Sequence, residues 1–267
     1  MRKGFQKVVS SIIFIVVLLL LIDKVTNVLA SKESIEKYHD LEGENFDVLF
    51  FGNSHALLGI HPMELWNGYG MVSYNCAGAA NMLPTSYWML KNVLNEQNPE
   101  LVVIDIFMVG GDEKRRAERQ GVYQQHISFD WQPLTKEKIG MMNYLMDSLD
   151  ERIEFIAPIT LYHDRWKELT KNDFDPSYNK GKGAQSLFTR VAPMNIESVP
   201  KDEMILEDSL GKEYLCKMIE ECQTRGIEVL LIHIPYPEYA WHQQWGNGVK
   251  FIAEQYNVPY LNMFYED

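Results

Sequence analysis

The amino-acid sequence predicts an α/β fold built on a mostly parallel sheet with helices on both faces. The first observation is an alternation of short apolar runs, typical of buried strands, with longer segments of helical character. The second is the chemistry of two helix-to-strand connectors, Gln-Asn-Pro-Glu at 97–100 and Thr-Arg-Gly at 224–226. The third is composition: 46% hydrophobic and 12% aromatic residues are enough for a large core and exclude a disordered chain.

The N-terminal thirty residues stand apart from this pattern and predict a membrane segment. Arg2, Lys3 and Lys7 precede a run of fifteen mostly apolar residues at 8–22. A helix that crosses a bilayer needs roughly 17–25 residues, so this run alone is short. It reaches the required length if it continues to residue 30, with the charged pair at 23–24 at the outer interface, where long side chains extend to water.

Two interpretations of residues 1–30 stay open. An uncleaved signal anchor is the favoured one. A cleaved signal peptide has the same basic start and apolar centre, and Val-Leu-Ala at 28–30 fits its small-residue cleavage site. In both cases the basic N-terminus predicts that residues 31–267 lie outside the cytoplasm. With the anchor retained, the protein is a single-pass protein of the cell membrane.

The charge of residues 31–267 argues against a nucleic-acid partner. This part has 21 Lys and Arg against 36 Asp and Glu, a net charge of −15, which repels a phosphate backbone. The three cysteines, Cys76, Cys216 and Cys222, are too few and too scattered for a disulfide framework. No Cys/His spacing indicates a zinc site, so the sequence predicts neither a metal nor an organic cofactor.

After a polar linker at 31–44, the sequence predicts an α/β domain at 45–267. Between about 110 and 200 the strand–helix alternation stops, which predicts a mostly helical insertion over one end of the sheet. A separate second domain is the less favoured alternative, because the alternation resumes afterwards and completes the same sheet. The predicted strands are 47–51, 71–75, 101–107, 228–234 and 259–262, and the predicted helices are 63–66, 85–96, 202–225 and 239–256.

The first predicted strand ends in Gly52, Asn53, Ser54 and His55, which have no hydrophobic role. Ligands of open α/β sheets bind at the carboxyl edge of the strands, so a serine on this turn is well placed for chemistry. The alternative is an ordinary β-turn, because Gly, Asn and Ser are common in turns. The four residues alone do not decide between the two.

Three further blocks of sequence give this serine a context. Asn-Cys-Ala-Gly follows the second strand at 75–78, Asn-Pro-Glu-Leu-Val-Val-Ile-Asp forms the third at 98–105, and Leu-Tyr-His-Asp-Arg-Trp lies in the insertion at 161–166. Together with Gly-Asn-Ser-His at 52–55, and in this order, they resemble the SGNH (GDSL-like) hydrolase family. The closer resemblance is to its membrane-anchored bacterial branch, related to proteins of cell-wall polymer acylation, and it covers about residues 44–263.

The resemblance implies a three-layer, flavodoxin-like fold and a serine esterase or O-acyltransferase that acts outside the cytoplasm on acylated cell-wall or secreted glycans. It implies that Ser54 is the nucleophile. The oxyanion hole would be formed by the backbone N–H groups of Ser54 and Gly78, with Asn81 as a substitute donor. We also expect Asn53 and His55 to line the substrate pocket, with a local hydrogen bond as the alternative for His55. The resemblance implies a membrane acyltransferase as a partner.

The sequence departs from the family at the catalytic Asp-x-x-His block. The family has this block after the fifth strand, where this sequence has only Met-Phe-Tyr-Glu-Asp at 263–267, so we expect a truncated domain of doubtful activity. His163, beside Asp164, is then a candidate base, and Arg165 is a candidate ligand for a carboxylate or phosphate. Alternatively, His163, Arg165 and Trp166 pack the insertion on the sheet. The alternative function is a catalytically inactive carbohydrate-binding or assembly factor of the same fold.

His233 and several aromatic and methionine residues are predicted to have structural roles. His233 lies in the fourth strand and is predicted to be a core histidine. Trp241, His242 and Trp245 have helical spacing and are predicted to cover an apolar face, with sugar stacking as the alternative. Core positions are also predicted for Tyr87, Trp88, Met141, Met142 and Met146.

Overall fold

A computed structural model of the chain describes residues 2–30, 41, 43–110, 134–174, 181–186, 199–235 and 240–265. Its strands are β1 (Val48–Phe51), β2 (Ser73–Asn75), β3 (Leu101–Asp105), β4 (Glu228–His233) and β5 (Tyr260–Asn262). They form a five-stranded, all-parallel sheet in the order β2-β1-β3-β4-β5, which is the strand order of flavodoxin-like doubly wound sheets. The predicted α/β class with a parallel sheet is confirmed.

The register of the sheet aligns the strand ends that carry polar residues. Asp105 pairs with Ile232, and His233 pairs with Asn262. Phe51, the last residue of β1, pairs with the residue before Asp105. The turn after β1, the end of β3 and the end of β4 therefore lie along one line at the carboxyl edge of the sheet, where ligands of this sheet type bind.

Helices connect the strands and pack on the sheet. The largest core cluster joins one face of the sheet to three long helices and to part of the insertion. A smaller cluster on the other face joins Val48, Phe50 and Val103 to Leu65 of a short helix. The helices of the described residues are α1 (Arg2–Leu29), α2 (Ser54–Gly59), α3 (Pro62–Tyr69), α4 (Leu83–Val93), α5 (Lys136–Leu145), α6 (Leu149–Ile156), α7 (Ile159–Tyr162), α8 (Leu210–Thr224) and α9 (Ala240–Tyr256).

Two predicted boundaries differ from the structure for local reasons. Helix α8 begins at Leu210 and not at 202, because the Ser209 hydroxyl accepts a hydrogen bond from the Lys212 N–H and caps the helix there. Strand β3 ends at Asp105 and not at 107, because the chain then forms a 3₁₀ turn over Phe107–Gly110.

The described parts of the predicted insertion are residues 134–174, 181–186 and 199–200. They contain helices α5, α6 and α7, the 3₁₀ turns His163–Lys167 and Lys171–Phe174, and no strand. Helix α5 joins it to the core, because Met141, Met142 and Met146 are buried in the same cluster as α4. The core positions predicted for these methionines are confirmed. The rest of the insertion, at 111–133, 175–180 and 187–198, lies outside the described residues.

Helix α1 is long and apolar enough to cross a membrane, by length and composition. A signal sequence near the N-terminus passes the same test. Its side chains from Gly4 to Val25 are exposed, whereas Leu29 and Ala30 are buried against Tyr162 of α7. The last turn of α1 is therefore part of the folded protein.

Candidate functional site

The turn after β1 is shaped by a close contact between Gly52 and Asp105. A β-carbon at Gly52 would lie 2.7 Å from the Asp105 β-carbon, so a larger residue does not fit without a shift. Beyond Gly52, the Asn53 side chain accepts a hydrogen bond from the His55 N–H at 2.9 Å, and helix α2 begins at Ser54. Ser54 is partly exposed, whereas Asn53 and His55 are buried. The turn thus presents Ser54 at the carboxyl edge of the sheet.

Asn75, at the end of β2, holds helix α2 in place. Its side-chain amide donates to the carbonyls of Ala56 at 2.8 Å and Ile60 at 2.9 Å. Its side-chain oxygen accepts from the Ala77 N–H at 3.0 Å. The Asn75 side chain is completely buried, so its two donated bonds form a rigid link between the end of β2 and the helix that follows β1, while the third bond fixes the side chain in its own loop. The only sequence signal for this role is the position of Asn75 in the 75–78 block.

The other residues of the predicted oxyanion hole lie in the loop after β2. The Gly78 N–H donates to the Gly52 carbonyl at 3.2 Å, and the Asn81 N–H donates to the Gly78 carbonyl at 3.2 Å. This loop therefore reaches the turn that carries Ser54, but the Gly78 N–H already has a partner within the protein. Donation from Gly78 or Asn81 to a bound oxyanion stays a prediction.

Three histidines that are far apart in the sequence converge on the same edge. The Phe107 ring packs between His55 and His242, with centroid distances of 3.8 Å and 4.5 Å. His233, at the end of β4, is completely buried, as predicted for a core histidine. Burial lowers the pKa of His55 to about 4, with repulsion from His233 and then His242 as smaller causes. His55 is therefore uncharged at neutral pH.

The sequence pattern does not pair these histidines, because they lie on three different elements. The sequence indicates their meeting only through their positions relative to the strands. His55 follows β1, His233 ends β4 and His242 lies at the start of α9, which follows β4. Each is therefore near the carboxyl end of a parallel strand, which is the edge where polar residues of this fold class meet.

The fit of His233 against α9 leads to a stability prediction. A β-carbon at Gly246 would lie 2.2 Å from the His233 Nδ1 atom. We expect Gly246→Ala to lower the free energy of unfolding by about 2 kcal/mol, because overpacking outweighs the helix propensity gained with alanine. In a His233→Ala background the same substitution has room and should stabilise by up to about 1 kcal/mol. Urea denaturation of the wild type, the two single variants and the double variant measures this double-mutant cycle. If Gly246→Ala changes the free energy of unfolding equally in both backgrounds, the contact with His233 is contradicted.

His163 and Arg165 lie beside the end of α1. The Arg165 guanidinium donates to the Leu29 carbonyl at 2.6 Å and to the Ala30 carbonyl, and it pairs with Asp173 at 2.9 Å. His163 is exposed on the adjoining turn. Among the contacts of the described residues, none brings either side chain to the edge that carries the serine. The roles of His163 as a base and of Arg165 as a substrate ligand stay predictions, and the packing that the structure shows for this segment is with α1.

Two cavities of the protein lie apart from the serine and the histidines of this edge. Across the ranges that the structure describes, no group of three or more His, Cys, Asp or Glu side chains is arranged to hold a metal ion. One cavity of about 670 Å³ lies beside β5 and α9, and another of about 180 Å³ lies between α9 and the segment before α8. Neither of these two cavities is lined by Ser54, His55 or His242. The serine and the histidines thus belong to the sheet edge and not to either cavity.

The chain matches no protein-family model, and no significant match to it was found among curated proteins or solved structures. The SGNH resemblance therefore rests on the motifs of the sequence. Function has to be inferred from those motifs together with the geometry around Ser54.

Proposed function

We propose that the protein is an extracytoplasmic, membrane-anchored serine esterase or O-acyltransferase that acts on acylated cell-wall or secreted glycans. The observation that carries the proposal is the position of Ser54. It is a partly exposed serine on the turn directly after β1, a buried internal strand, at the carboxyl edge of a parallel sheet. Ligands of such sheets bind at this edge. The SGNH resemblance of the surrounding motifs supplies the reaction class.

In this reaction the Ser54 hydroxyl attacks the acyl carbon of an ester while a base takes its proton. The ester C–O bond then breaks, the alcohol leaves with the proton that the base holds, and the acyl group stays on the serine until water or a glycan hydroxyl accepts it. The negative charge that develops on the carbonyl oxygen needs N–H donors, for which the backbone of Ser54 and Gly78 and the side chain of Asn81 are the candidates. Gly78 can donate only if its N–H leaves the Gly52 carbonyl when substrate binds.

His55 and His242 are the candidate bases that lie at the same edge. His55 is uncharged at neutral pH because burial lowers the pKa of its ring, so it can accept a proton, although a pKa of about 4 makes it a weak base. His242 is half-buried and stacks on Phe107. We include His163, the base expected from the sequence, in the test because its position beside α1 makes it a suitable comparison.

We also propose that residues 1–30 are an uncleaved anchor. The small-residue site at 28–30 belongs to the last turn of α1, where Leu29 and Ala30 are buried and both carbonyls accept from Arg165. Cleavage after Ala30 would remove these contacts from the folded domain, which favours a chain that keeps α1. The basic residues in the first turns of α1 support a domain outside the cytoplasm. We expect the intact mass of protein purified from membranes to include residues 1–30, and a mature chain that begins at residue 31 would contradict the anchor.

A second candidate function is a carbohydrate-binding or assembly factor without catalysis. It is favoured by the hydrogen bond from the Gly78 N–H to the Gly52 carbonyl, because a donor that is already satisfied does not stabilise an oxyanion. In this case the edge around Ser54 binds a glycan without cleaving its esters. For either function we propose a membrane acyltransferase as a partner, since the anchor brings the domain to the same bilayer.

A fluorophosphonate probe separates the two functions, because it bonds covalently to an activated serine. We expect the full-length protein in detergent to be labelled and Ser54→Ala to lose labelling completely. Ser148→Ala, at an exposed serine of the insertion, is the matched control and should keep it. If the wild type is labelled no more than Ser54→Ala and yet binds glycan, the enzyme proposal is wrong and the binding function is supported.

The same assay identifies the base. Loss of a general base lowers the rate of serine reaction by about 10²–10⁴-fold. We expect this loss in His55→Gln or His242→Gln, whereas His163→Gln should react like the wild type because His163 lies beside α1. A loss confined to His163→Gln would instead support the base expected from the sequence.

A further inference from the structure

We propose that residues 149–174, from the start of α6 to the 3₁₀ turn Lys171–Phe174, are a second membrane contact of this protein. In this juxtamembrane segment, exposed apolar side chains insert into the headgroup layer of the bilayer that α1 crosses. This contact is independent of the proposed activity. It requires only that α1 stays attached to the mature protein.

The depth of the juxtamembrane segment follows from its contacts with α1. Helix α7 and the two 3₁₀ turns after it all contact α1. Leu29, which packs against Tyr162, lies five residues beyond Lys24, the last charged residue of α1. At a helical rise of about 1.5 Å per residue this is roughly 7–8 Å. The polar layer on each side of the hydrocarbon is about 5–8 Å thick, so the contacts with α1 hold α7 and the two turns at the level of the headgroups. Helix α6 is attached at this level through its contact with α7.

The juxtamembrane segment exposes large apolar side chains at this level. On α6, Leu149, Ile153 and Ile156 are between 49% and 72% exposed. Their spacing of four and three residues places them on one face of the helix. Trp166 and Phe174, on the two turns that follow α7, are similarly exposed. An apolar helix face and exposed aromatic residues next to a membrane-crossing helix are the pattern of an interfacial contact.

The charge of this region decides how it binds lipid. Residues 149–174 carry six carboxylates against four Lys and Arg side chains. Anionic headgroups therefore do not attract the segment, and the contact depends on apolar insertion. Trp166 suits this role because its ring is apolar while its edge is polar, and the Lys167 Nζ atom lies 5.6 Å from the ring centroid. The partner that fits is a zwitterionic bilayer surface.

The experiment uses the full-length chain in nanodiscs of phosphatidylcholine. Ile153→Cys and Trp166→Cys, each made in a Cys216→Ser parent, carry an environment-sensitive fluorophore, and the other two cysteines are buried. Phe251→Cys on α9 is the matched control, because Phe251 is as exposed as Ile153 but lies on a helix packed at the sheet. We expect lipids with a nitroxide near the headgroup to quench the probes at 153 and 166 several-fold more than the probe at 251.

Intact mass of the same sample establishes that α1 is present. Preferential quenching at 153 and 166 that persists at high salt supports the contact. Equal quenching at all three positions overturns it. If quenching at 153 and 166 requires anionic lipid, apolar insertion is not the mechanism. If the probes are shielded from water only when a second membrane protein is added, the partner is a protein and the membrane contact is overturned. Ser54 labelling is read separately, so failure of this contact and failure of the proposed activity are distinguishable.

Discussion

Replacement of Asn75 by alanine should lower the free energy of unfolding by about 3–4 kcal/mol. The side chain is completely buried and donates to the carbonyls of Ala56 and Ile60 while it accepts from the Ala77 N–H. Each buried polar group left without its partner costs about 1–3 kcal/mol. The Ala56 carbonyl keeps a second bond, from the Ile60 N–H, which limits the total. Urea denaturation of the full-length protein in one detergent measures the difference.

The same substitution should also reduce fluorophosphonate labelling of Ser54 under conditions in which the variant is folded. The two carbonyls belong to α2 and the residue that follows it, so their release loosens the helix that begins at Ser54. Asn247→Ala is the matched control. Asn247 is also a buried asparagine whose amide donates to two carbonyls, those of Pro200 and Glu203. It should destabilise the protein by about 2–3 kcal/mol and leave labelling unchanged. If both variants keep full labelling, Asn75 does not position the serine.

Protein stability between about pH 7 and about pH 4 should depend on His55. Burial, followed by repulsion from His233 and His242, lowers the pKa of this ring from 6.5 to about 4 in the folded state. The unfolded chain therefore binds more protons across this range. The contribution to stability is complete above the unfolded pKa and is lost as the pH falls toward the folded one. Since one pKa unit corresponds to about 1.4 kcal/mol, we expect a loss of about 3 kcal/mol.

His55→Gln isolates this effect, because glutamine stays neutral across the range. The wild type should lose about 3 kcal/mol more than His55→Gln as the pH falls. His163→Gln is the control, since His163 is exposed, and its stability should follow that of the wild type. Urea denaturation at a series of pH values gives the three curves. Parallel curves for the wild type and His55→Gln are incompatible with a buried, uncharged His55.

The fold class was predictable because strands and connectors are local features. The apolar run that becomes β3 and the Gly-containing end of β1 identify buried strands without knowledge of their partners. The buried methionines of α5 follow from the same reasoning, since a methionine-rich helical segment needs an apolar face to pack against. Helix boundaries were less predictable than the helices themselves. The predicted helix at 202–225 ran through Ser209, whereas in the structure Ser209 caps α8 and the helix begins at Leu210.

The candidate site was predictable only in part. Ser54 can be assigned to the sheet edge because it follows β1 after one glycine and one asparagine. The contact of Gly52 with Asp105 could not be predicted, because it depends on the pairing of β1 with β3. The same holds for Asn75, because two of its hydrogen bonds join β2 to carbonyls of α2 and of the residue after it, which precede β2 in the chain.

The sequence by itself determined the alternation of strands and helices, the serine that follows a buried strand, and the apolar N-terminal helix. These features depend on residues that are neighbours in the chain, so hydrophobic periodicity and turn chemistry report them directly. Only the tertiary structure decided that His55, His233 and His242 share one edge and that Arg165 holds the end of α1. These contacts join elements distant in sequence, and the physical reason is that strand order and helix packing, not local pattern, bring such elements together.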